Sequence, residues 1–342
     1  MEEKKVSISD IAKELNISIT TVSFIINGKA KEKRISDSLV DRVLKLVEEK
    51  NYQPNQLAKS LRTGKTNILG LMVEDIANPF FANVARLIEE NAYKEGYKIL
   101  YCSTENSTEK TKELIRMFID RRIDGYIITP PKGIKKDILL LNKENSPVVL
   151  FDRYYPDLEA DYVVVDNYEG TSKAIEHFIE QGFKNIAFVT IESDQTQMLD
   201  RLRGYQNVMD KYHIPQIIER IPYQETSGQA VKQIVELLKR NKKIDAIFFA
   251  TNYLGVNGLE ALKSTKLKIG KDIGVISFDD HDLFRLYNPT ITAVAQPIEE
   301  ISKLVISILL GKLSGHHRNG AQEINSLQTR LIVRESSLRL TK

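Results

Sequence analysis

Apolar and polar residues follow two different patterns along the chain, and the change falls near residue 66. Before it, apolar residues recur at helical spacing in short groups. Beyond it, short apolar runs alternate with segments of helical period. Strands that alternate with helices are typical of parallel sheets wound by right-handed crossovers. The pattern therefore predicts a small all-α head followed by a long α/β body.

The head pattern predicts a helix-turn-helix. A capping box of Ser7 and Asp10 starts the first helix. Its apolar face consists of Ile8, Ile11, Ala12 and Leu15. After a short turn, Ser18 is a candidate N-cap of a second helix that ends at Asn27-Gly28. Two short helices joined by such a turn form a helix-turn-helix.

A third helix is predicted from Ser36 to Lys50. Its apolar positions are Val40, Val43, Leu44 and Val47. These side chains are expected to close a small core with the first two helices.

The body pattern predicts two similar doubly wound subdomains, because a second series of strands begins around residues 160–185. The predicted strands are 68–73, 98–102, 125–129, 148–151, 162–165, 186–190, 245–250, 274–278 and 290–294. The predicted helices between them are 80–94, 108–120, 169–180, 199–212, 228–239 and 254–263.

Charge is distributed unevenly over the 342 residues. The net charge is +3, but residues 1–65 hold 13 Lys and Arg against 9 Asp and Glu, which leaves a net charge of −1 for the rest. A basic excess confined to a small helical head is typical of a nucleic-acid partner. The single Cys102 cannot form an internal disulfide, and no apolar stretch is long enough to span a membrane. A cytoplasmic protein without a membrane partner is expected.

Two groups of residues raise the alternative of an enzyme. The run Asp279–Asp282 and the pair His316-His317 contain metal-binding side chains, but their spacing matches no zinc motif and they contribute no sulfur ligand, so a loop of exposed charge is predicted instead. No glycine-rich phosphate loop is present. His177 and His213 lie on helical stretches and are read as surface or capping residues. The sequence predicts no catalytic residues, no metal and no cofactor.

The segments 8–18, 21–23, 27–28 and 51–64 closely resemble the LacI/GalR family of bacterial transcription regulators. The resemblance continues through Asn78–Phe81, Phe151–Arg153, Val165–Asn167, Arg201–Tyr205 and Phe278–Asp280, in the family's order. It implies a head that binds operator DNA as a dimer, and a body shaped like a type I periplasmic sugar-binding protein that closes on a small effector.

The resemblance also implies domain boundaries. The DNA-binding domain would span residues 1–54, a hinge helix and linker residues 55–66, and the effector-binding and dimerisation domain residues 67–342. Within the body, the N-subdomain would combine about 67–164 and 296–328, and the C-subdomain about 165–295 and 329–342. A helix from Pro297 to Gly311 would thereby return to the first subdomain.

Carried onto this sequence, the family's DNA contacts fall mainly on the second helix. Ser18 would cap it beside a phosphate, Ile19 and Thr20 would discriminate bases, and Thr21 and Ser23 would lie near the backbone. The further expected contacts are Phe24, Asn27 and Arg34. Many relatives carry Arg at position 24, and packing of Ile19 or Phe24 in the head core is the alternative. Arg34, with Lys31 and Lys33, contacts phosphate or belongs to a solvated loop.

The resemblance further assigns a hinge helix to the segment 55–61. Its expected DNA contacts are Asn55, Ala58, Lys59 and Leu61, with Leu61 wedged into the minor groove at the operator centre. A helix this short is unstable by itself, so its order would depend on DNA and on the partner copy.

Candidate effector ligands follow predicted strands, where the carboxyl ends of parallel strands form ligand sites. They are Phe80, Phe81, Asp152, Arg153, Asp166, Arg201, Asn252 and Asp279. Arg201 is placed at the start of a helix. Asp, Asn and Arg suit ring hydroxyls, which suggests a sugar-like effector. The competing interpretation makes Asp166 and Asp280 helix caps, and Phe80 or Phe81 core.

Together, these expectations describe a transcriptional regulator that acts as a repressor. Its three expected partners are double-stranded operator DNA, a sugar-like effector and a second copy of the chain. A co-regulator is left open as a further partner. The alternatives are a solute-binding protein without a gene-regulatory role and an enzyme built on the effector domain.

Overall fold

The computed structural model describes residues 6–52, 64–144, 146–223, 227–315 and 324–339. It divides into two compact units with the boundary between Thr66 and Asn67. The expected hinge contacts Asn55, Ala58, Lys59 and Leu61 lie outside the described residues, as does the pair His316-His317. In the described ranges, no helix is both long and apolar enough to span a bilayer.

The head unit contains three helices, α1 (Ile8–Glu14), α2 (Ile19–Ile26) and α3 (Asp37–Glu49). The predicted capping box is present at the start of α1, and Ser18 and Ser36 occupy the N-cap positions of α2 and α3. The helix-turn-helix and the third helix are thus confirmed.

The head core is built from Ile11, Ala12, Val22, Ile25, Val43 and Leu46. One predicted core position is wrong: Leu44 is 46% exposed, whereas Leu46 is buried. The apolar stripe of α3 is centred on Val43, with Val40, Leu46 and Val47 within about 60° of it around the helix axis, whereas Leu44 is turned by about 100° from Val43 toward solvent.

In the body, the first sheet contains β1 (Ile68–Val73), β2 (Lys98–Ser103), β3 (Gly125–Ile128), β4 (Val148–Phe151), β5 (Tyr162–Val165) and β11 (Ile324–Leu327). Its strand order is β11-β5-β4-β3-β1-β2, and every pair is parallel. The four central strands are rich in Val, Ile and Leu, since both of their faces are covered by helices.

The second body sheet contains β6 (Ile186–Ile191), β7 (Ile217–Ile221), β8 (Ala246–Phe249), β9 (Gly274–Phe278), β10 (Thr292–Ala295) and β12 (Arg330–Ile332). Its order is β12-β10-β9-β8-β6-β7, parallel except where β12 runs antiparallel to β10. The two sheets confirm the predicted fold class of an all-α head and a doubly wound α/β body.

Helices cover both sheets. They are α4 (Pro79–Lys94), α5 (Thr108–Asp120), α6 (Lys135–Lys143), α7 (Asn167–Glu180), α8 (Thr196–Lys211), α9 (Ser227–Arg240), α10 (Asn252–Lys263), α11 (Asp282–Leu286) and α12 (Ile298–Leu313). The apolar side of α12 packs into the core of the first sheet with α4.

The chain passes between the two sheets three times. The passages lie between β5 and α7, between β10 and α12, and between β11 and β12. Asp166 joins two of them, because its Oδ1 accepts a hydrogen bond from the Thr329 backbone N–H at 2.7 Å. The two sheets are therefore joined by three chain connections, of which the first and the third are linked to each other by this hydrogen bond.

Candidate nucleic-acid interface and ligand cleft

The exposed surface at the start of α2 combines a helix N-terminus with small hydroxyl side chains. Ser18 Oγ accepts a hydrogen bond from the Thr21 N–H at 3.0 Å and lies 2.8 Å from Thr21 Oγ1. Ile19 is 49% exposed, and Thr20 is exposed beside it. The remaining first-turn N–H groups and the helix dipole favour a phosphate at this end, with both side chains directed outward.

The end of α2 is fixed by backbone and side-chain bonds. The Lys29 N–H donates to the Phe24 carbonyl at 2.9 Å and the Gly28 N–H to the Ile25 carbonyl at 3.0 Å, with Gly28 at φ +71°. This is a Schellman motif, which needs a residue able to adopt positive φ. Asn27 Nδ2 donates to the Ser23 carbonyl at 2.7 Å.

Phe24 is half-buried and does not belong to the packed core of the described head. Instead, Lys33 Nζ lies 5.2 Å from the centre of its ring. Lys31, Lys33 and Arg34 are exposed in the turn before α3, and Arg34 has a positive φ of 53°. This side of the head therefore has a positively charged edge, in which one of the three cations, Lys33, lies over an aromatic ring.

Polar side chains of the body gather at the carboxyl ends of the strands. Glu74 follows β1, Asp152 and Arg153 follow β4, Asp279 follows β9, and Asn252 begins α10 after β8. These ends meet between the two sheets, so residues far apart in sequence share one cleft.

Arg153 is the centre of the polar network on the first subdomain. Its guanidinium is 3% exposed and forms an ion pair with Glu74, while Nε lies 3.2 Å from Asp152 Oδ2 and Nη1 donates to Asn106 Oδ1 at 2.7 Å. The two neighbouring carboxylates raise the pKa of this guanidinium against the opposing effect of burial. A buried charge requires this degree of pairing.

Arg201 is the corresponding centre on the second subdomain. Its guanidinium stacks 3.6 Å from the Phe278 ring centre, donates to Asn167 Oδ1 at 2.8 Å and to the Ala250 carbonyl at 2.7 Å, and pairs with Asp279 at 3.7 Å. The predicted position at a helix start is wrong: Arg201 lies in the second turn of α8 (Thr196–Lys211). From there its long side chain reaches the ends of β8 and β9.

Two aspartates in the cleft have unusual backbone conformations. Asp152 has φ +74° and Asp279 has φ +65°, a region that L residues adopt at a cost of about 1–3 kcal/mol and that is concentrated at functional sites. Burial raises the pKa of Asp152, opposed by Arg153 and Arg201. Burial also raises the pKa of Asp279, opposed by Arg201 and by the Gln296 amide, which donates at 2.6 Å.

The prediction of an exposed charged loop at Asp279–Asp282 is wrong at its first two residues. Asp279 is 7% exposed and faces Arg201. Asp280 accepts two hydrogen bonds from the Arg334 guanidinium, at 2.8 and 2.7 Å. In the part of the chain that the structure describes, no group of three or more His, Cys, Asp or Glu is arranged to hold a metal ion.

Hydrogen bonds and an ion pair connect the two subdomains across the cleft. Tyr223 OH donates to Glu74 Oε1 at 2.8 Å, and Asn252 Nδ2 donates to Asn78 Oδ1 at 3.0 Å. Thr196 Oγ1 accepts from the Tyr154 N–H at 3.1 Å, and Lys132 pairs with Asp194. The two walls therefore lie close enough to enclose a small molecule.

A cavity of about 260 Å³ opens beside Arg153. Its walls include Lys132, Lys135, Tyr154 and Tyr155 from the first subdomain and Asp194, Gln195 and Thr196 from the second. Both subdomains thus contribute to one opening next to the buried polar groups.

The other predicted cleft residues occupy different surroundings. Phe80 and Phe81 are 8% and 5% exposed, belong to the core under the first sheet and pack edge-to-face at 5.0 Å. Asp166 lies at the N-cap position of α7 without a side-chain capping bond, and its carboxylate bonds to the Thr329 backbone. His177 is half-buried and bonds to Ser337, whereas His213 is exposed at the end of α8.

The residues of the cleft that were not anticipated include Glu74, Asn78, Tyr223 and Gln296. Glu74 directly follows the predicted strand 68–73, so its position at a strand end was a signal that could have identified it. Tyr223 follows β7, a strand that the pattern did not predict, and Gln296 lies on a connection between the sheets. Only the chain path brings these two to the cleft.

A helix-turn-helix head with an exposed second helix, joined to a two-sheet α/β body with a polar cleft, defines the class of helix-turn-helix DNA-binding proteins. Residues 7–55 match the family model described as bacterial regulatory proteins, lacI family, and residues 175–337 match a periplasmic binding protein-like domain. The chain therefore combines a DNA-binding domain of the lacI family with a periplasmic binding protein-like domain.

Curated relatives extend over almost the whole chain. The HTH-type transcriptional repressor PurR of Aliivibrio fischeri (strain ATCC 700601 / ES114) is 29% identical over 336 residues, 96% of this chain and 98% of the relative. The ribose operon repressor of Halalkalibacterium halodurans is 28% identical over 331 residues, 97% of each protein. Both are transcriptional repressors, which are not enzymes.

A solved structure shares the fold over the same extent. The lac repressor dimer bound to operator and the anti-inducer ONPF superimposes with a TM-score of 0.85 at 20% identity, covering 98% of this chain and 100% of that chain. At this identity the similarity shows the shared fold.

Proposed function

We propose that the protein is a cytoplasmic, homodimeric repressor that binds operator DNA through the head and is controlled by a sugar-like effector held between the body subdomains. The family and the names of its relatives support a repressor. The lac repressor structure, a dimer on its operator, supports a dimer that binds duplex DNA.

On the DNA side, α2 would enter the major groove by its N-terminus. Ser18 and Thr21 would lie near a phosphate, and the exposed Ile19 and Thr20 would reach base edges. Isoleucine offers apolar contact to a thymine methyl, and threonine offers a methyl and a hydroxyl. Phe24, Lys33 and Arg34 would face the backbone at the other end of α2.

The observation that carries the effector proposal is the set of buried polar groups converging from both sheets. Guanidinium groups of Arg153 and Arg201 can donate to ring and hydroxyl oxygens, and the carboxylates of Asp152 and Asp279 can accept from hydroxyls. Alternating donors and acceptors of this kind fit a polyhydroxylated molecule. The name of the ribose operon repressor supports the same class.

Regulation would follow from linkage between the two sites. An effector that binds one conformation of the body more tightly, with its particular angle between the subdomains, shifts the population toward that conformation. The size of the shift is limited by the difference between the effector's affinities for the two conformations. Because the coupling is reciprocal, effector and operator must change each other's affinity by the same factor.

The intact chain is expected to select a palindromic sequence from a random pool of DNA duplexes. Thr20→Ala removes a proposed base contact and should weaken binding to the selected duplex about fivefold or more, since one base contact contributes roughly 1–3 kcal/mol. Binding is measured by fluorescence anisotropy at fixed salt, with D-ribose and other uncharged sugars added in parallel to find the one that changes operator affinity.

Lys45→Ala is the matched control for Thr20→Ala, because Lys45 is exposed on α3 and contributes an unselective charge. It should leave the selected sequence unchanged. If the intact chain enriches no sequence, the repressor proposal fails. If it enriches one but no sugar alters the affinity, only the effector class is wrong.

A further inference from the structure

The ligand cleft contains more buried carboxyl groups than guanidinium groups. Three carboxylates, Glu74, Asp152 and Asp279, face two guanidinium groups, Arg153 and Arg201. All five side chains are at most 12% exposed. The electrostatic influence of Glu74, Asp279 and both arginines extends to Asp152, so the five groups form one cluster across both subdomains.

Both positive charges of the cluster are neutralised within it. Arg153 forms ion pairs with Glu74 and Asp152, and Arg201 pairs with Asp279. An anionic ligand would compete with these carboxylates for the guanidinium groups and leave one of them buried without its partner. Displacing a carboxylate from a buried pair is costly, because the uncompensated charge stays out of water.

The lysines at the cavity beside Arg153 do not reverse this balance. Lys132 pairs with Asp194 across the cleft, and Lys135 pairs with Asp157. Each lysine therefore brings its own carboxylate, and the side chains of both pairs are more exposed than those of the buried cluster. Solvent screens such pairs, so they provide weak compensation for an anion deeper in the cleft.

Glu74 is the member of the cluster that produces the excess. Without its charge, two carboxylates would face two guanidinium groups. Its two oxygens are already engaged, Oε1 by Tyr223 OH at 2.8 Å and Oε2 by Arg153. Its negative charge also raises the pKa of Tyr253, together with the larger effect of burial.

We propose that Glu74 sets the charge preference of the cleft and restricts the effector to polyhydroxylated molecules without an anionic group. This inference rests on the proposed function, in which the cleft holds the effector. Hydroxyl groups can donate to the carboxylates and accept from the guanidinium groups without breaking the ion pairs. Sugar phosphates and sugar acids are excluded because they add negative charge to an already negative site.

The test is isothermal titration of the intact chain with matched pairs of sugars, D-ribose against D-ribose 5-phosphate and D-glucose against D-glucose 6-phosphate. We expect an uncharged member to bind and its phosphorylated counterpart to bind at least about a hundredfold more weakly, as for like charges brought together in a desolvated site. Glu74→Gln should reduce that ratio about tenfold or more, since the amide keeps the shape and removes the charge.

Two further variants distinguish the effect of the Glu74 charge from misfolding and from a change in the net charge of the chain. Glu74→Asp keeps the charge on a shorter side chain and should retain the discrimination. Glu113→Gln, on the exposed side of α5, changes the net charge of the chain equally and should leave the ratio unchanged. Thermal unfolding of each variant identifies any that do not fold, and loss of the discrimination in a folded Glu74→Asp would contradict the role of the charge.

Three results would overturn the inference. Equal or tighter binding of a phosphorylated sugar to the unmodified chain would mean that Lys132 and Lys135 take up the phosphate. An equal change of this affinity ratio in Glu113→Gln would show that the net charge of the chain, and not Glu74, causes the discrimination. If no uncharged sugar of the panel binds, the effector class is wrong, while selection of a DNA sequence by the same preparation would leave the repressor function intact.

Discussion

Asp279 illustrates how far an individual side chain depends on its surroundings. In the sequence it belongs to a run of charged residues, Asp279–Asp282, that reads as a surface loop. In the structure it lies under Arg201 and Gln296, with its backbone at positive φ. Its neighbour Asp280 points away, toward Arg334. Periodicity cannot distinguish the two, because their difference depends on β12 and on a connection between the sheets.

His177 provides a test of burial by pH. Burial lowers its pKa from the ordinary 6.5, opposed by Glu180 and by its bond to Ser337. Between the lowered pKa and pH 6.5 the unfolded chain binds more protons than the folded chain. The free energy of unfolding therefore keeps its full value above pH 6.5 and decreases as the pH falls through that window. His177→Gln should flatten this dependence, measured by urea unfolding from about pH 7.5 to about pH 5.5.

The control for His177 is His213, which is exposed and has a φ of 55°. Asparagine tolerates this conformation, so His213→Asn should leave the pH dependence unchanged. A steep decline that persists in His177→Gln would show that another group titrates.

Most helices and all central strands were predictable element by element, whereas three of the four edge strands were not. β3, β4 and β8 are buried along their whole length and appear in the sequence as continuous apolar runs. By contrast, β7 and β11 lie at sheet edges and mix polar with apolar residues. A strand with one neighbour and an exposed face has no distinctive apolar run, so β7, β11 and the three-residue β12 were missed.

The α7–α8 pair depends on a small residue at the contact. A Cβ at Gly204 would lie 2.5 Å from the Tyr168 carbonyl oxygen and 3.2 Å from Ser172 Oγ. Since a backbone carbonyl cannot rotate away, Gly204→Ala should force the helices apart and lower the free energy of unfolding by about 1–3 kcal/mol. Urea denaturation of the intact chain measures this.

Gly228→Ala is the matched comparison, on the exposed side of α9, where a Cβ would meet nothing within 4 Å. There alanine should stabilise by up to about 1 kcal/mol through its helix propensity. Equal changes in the free energy of unfolding at the two glycines would show that the α7–α8 contact accommodates the added methyl group without loss of stability.

Across the whole body, contacts between the subdomains set how firmly the cleft closes. The Tyr223 hydroxyl on the second subdomain reaches Glu74 on the first, and Asn252 reaches Asn78. A hydrogen bond to a charged group contributes about 1.5–3 kcal/mol. Tyr223→Phe should therefore shift the body toward open forms, seen by single-molecule FRET between dyes at Lys143→Cys and Lys239→Cys in a Cys102→Ser background.

Tyr168→Phe is the control, because its hydroxyl accepts from Asn207 within one subdomain at 3.0 Å. It should leave the distance distribution unchanged. A distribution that is also unchanged in Tyr223→Phe would mean that the remaining cross-cleft contacts hold the closed form without this bond.

Local order in this protein was readable from the chain alone, because capping residues, helical stripes and apolar runs act over a few residues. The helix-turn-helix, the alternating body and the positions of Arg153 and Asp279 after strands follow from such short-range rules. The partners of those side chains do not. Glu74 meets Tyr223, and Asp279 meets Gln296, only because the chain crosses three times between two sheets, and sequence periodicity contains no record of that path.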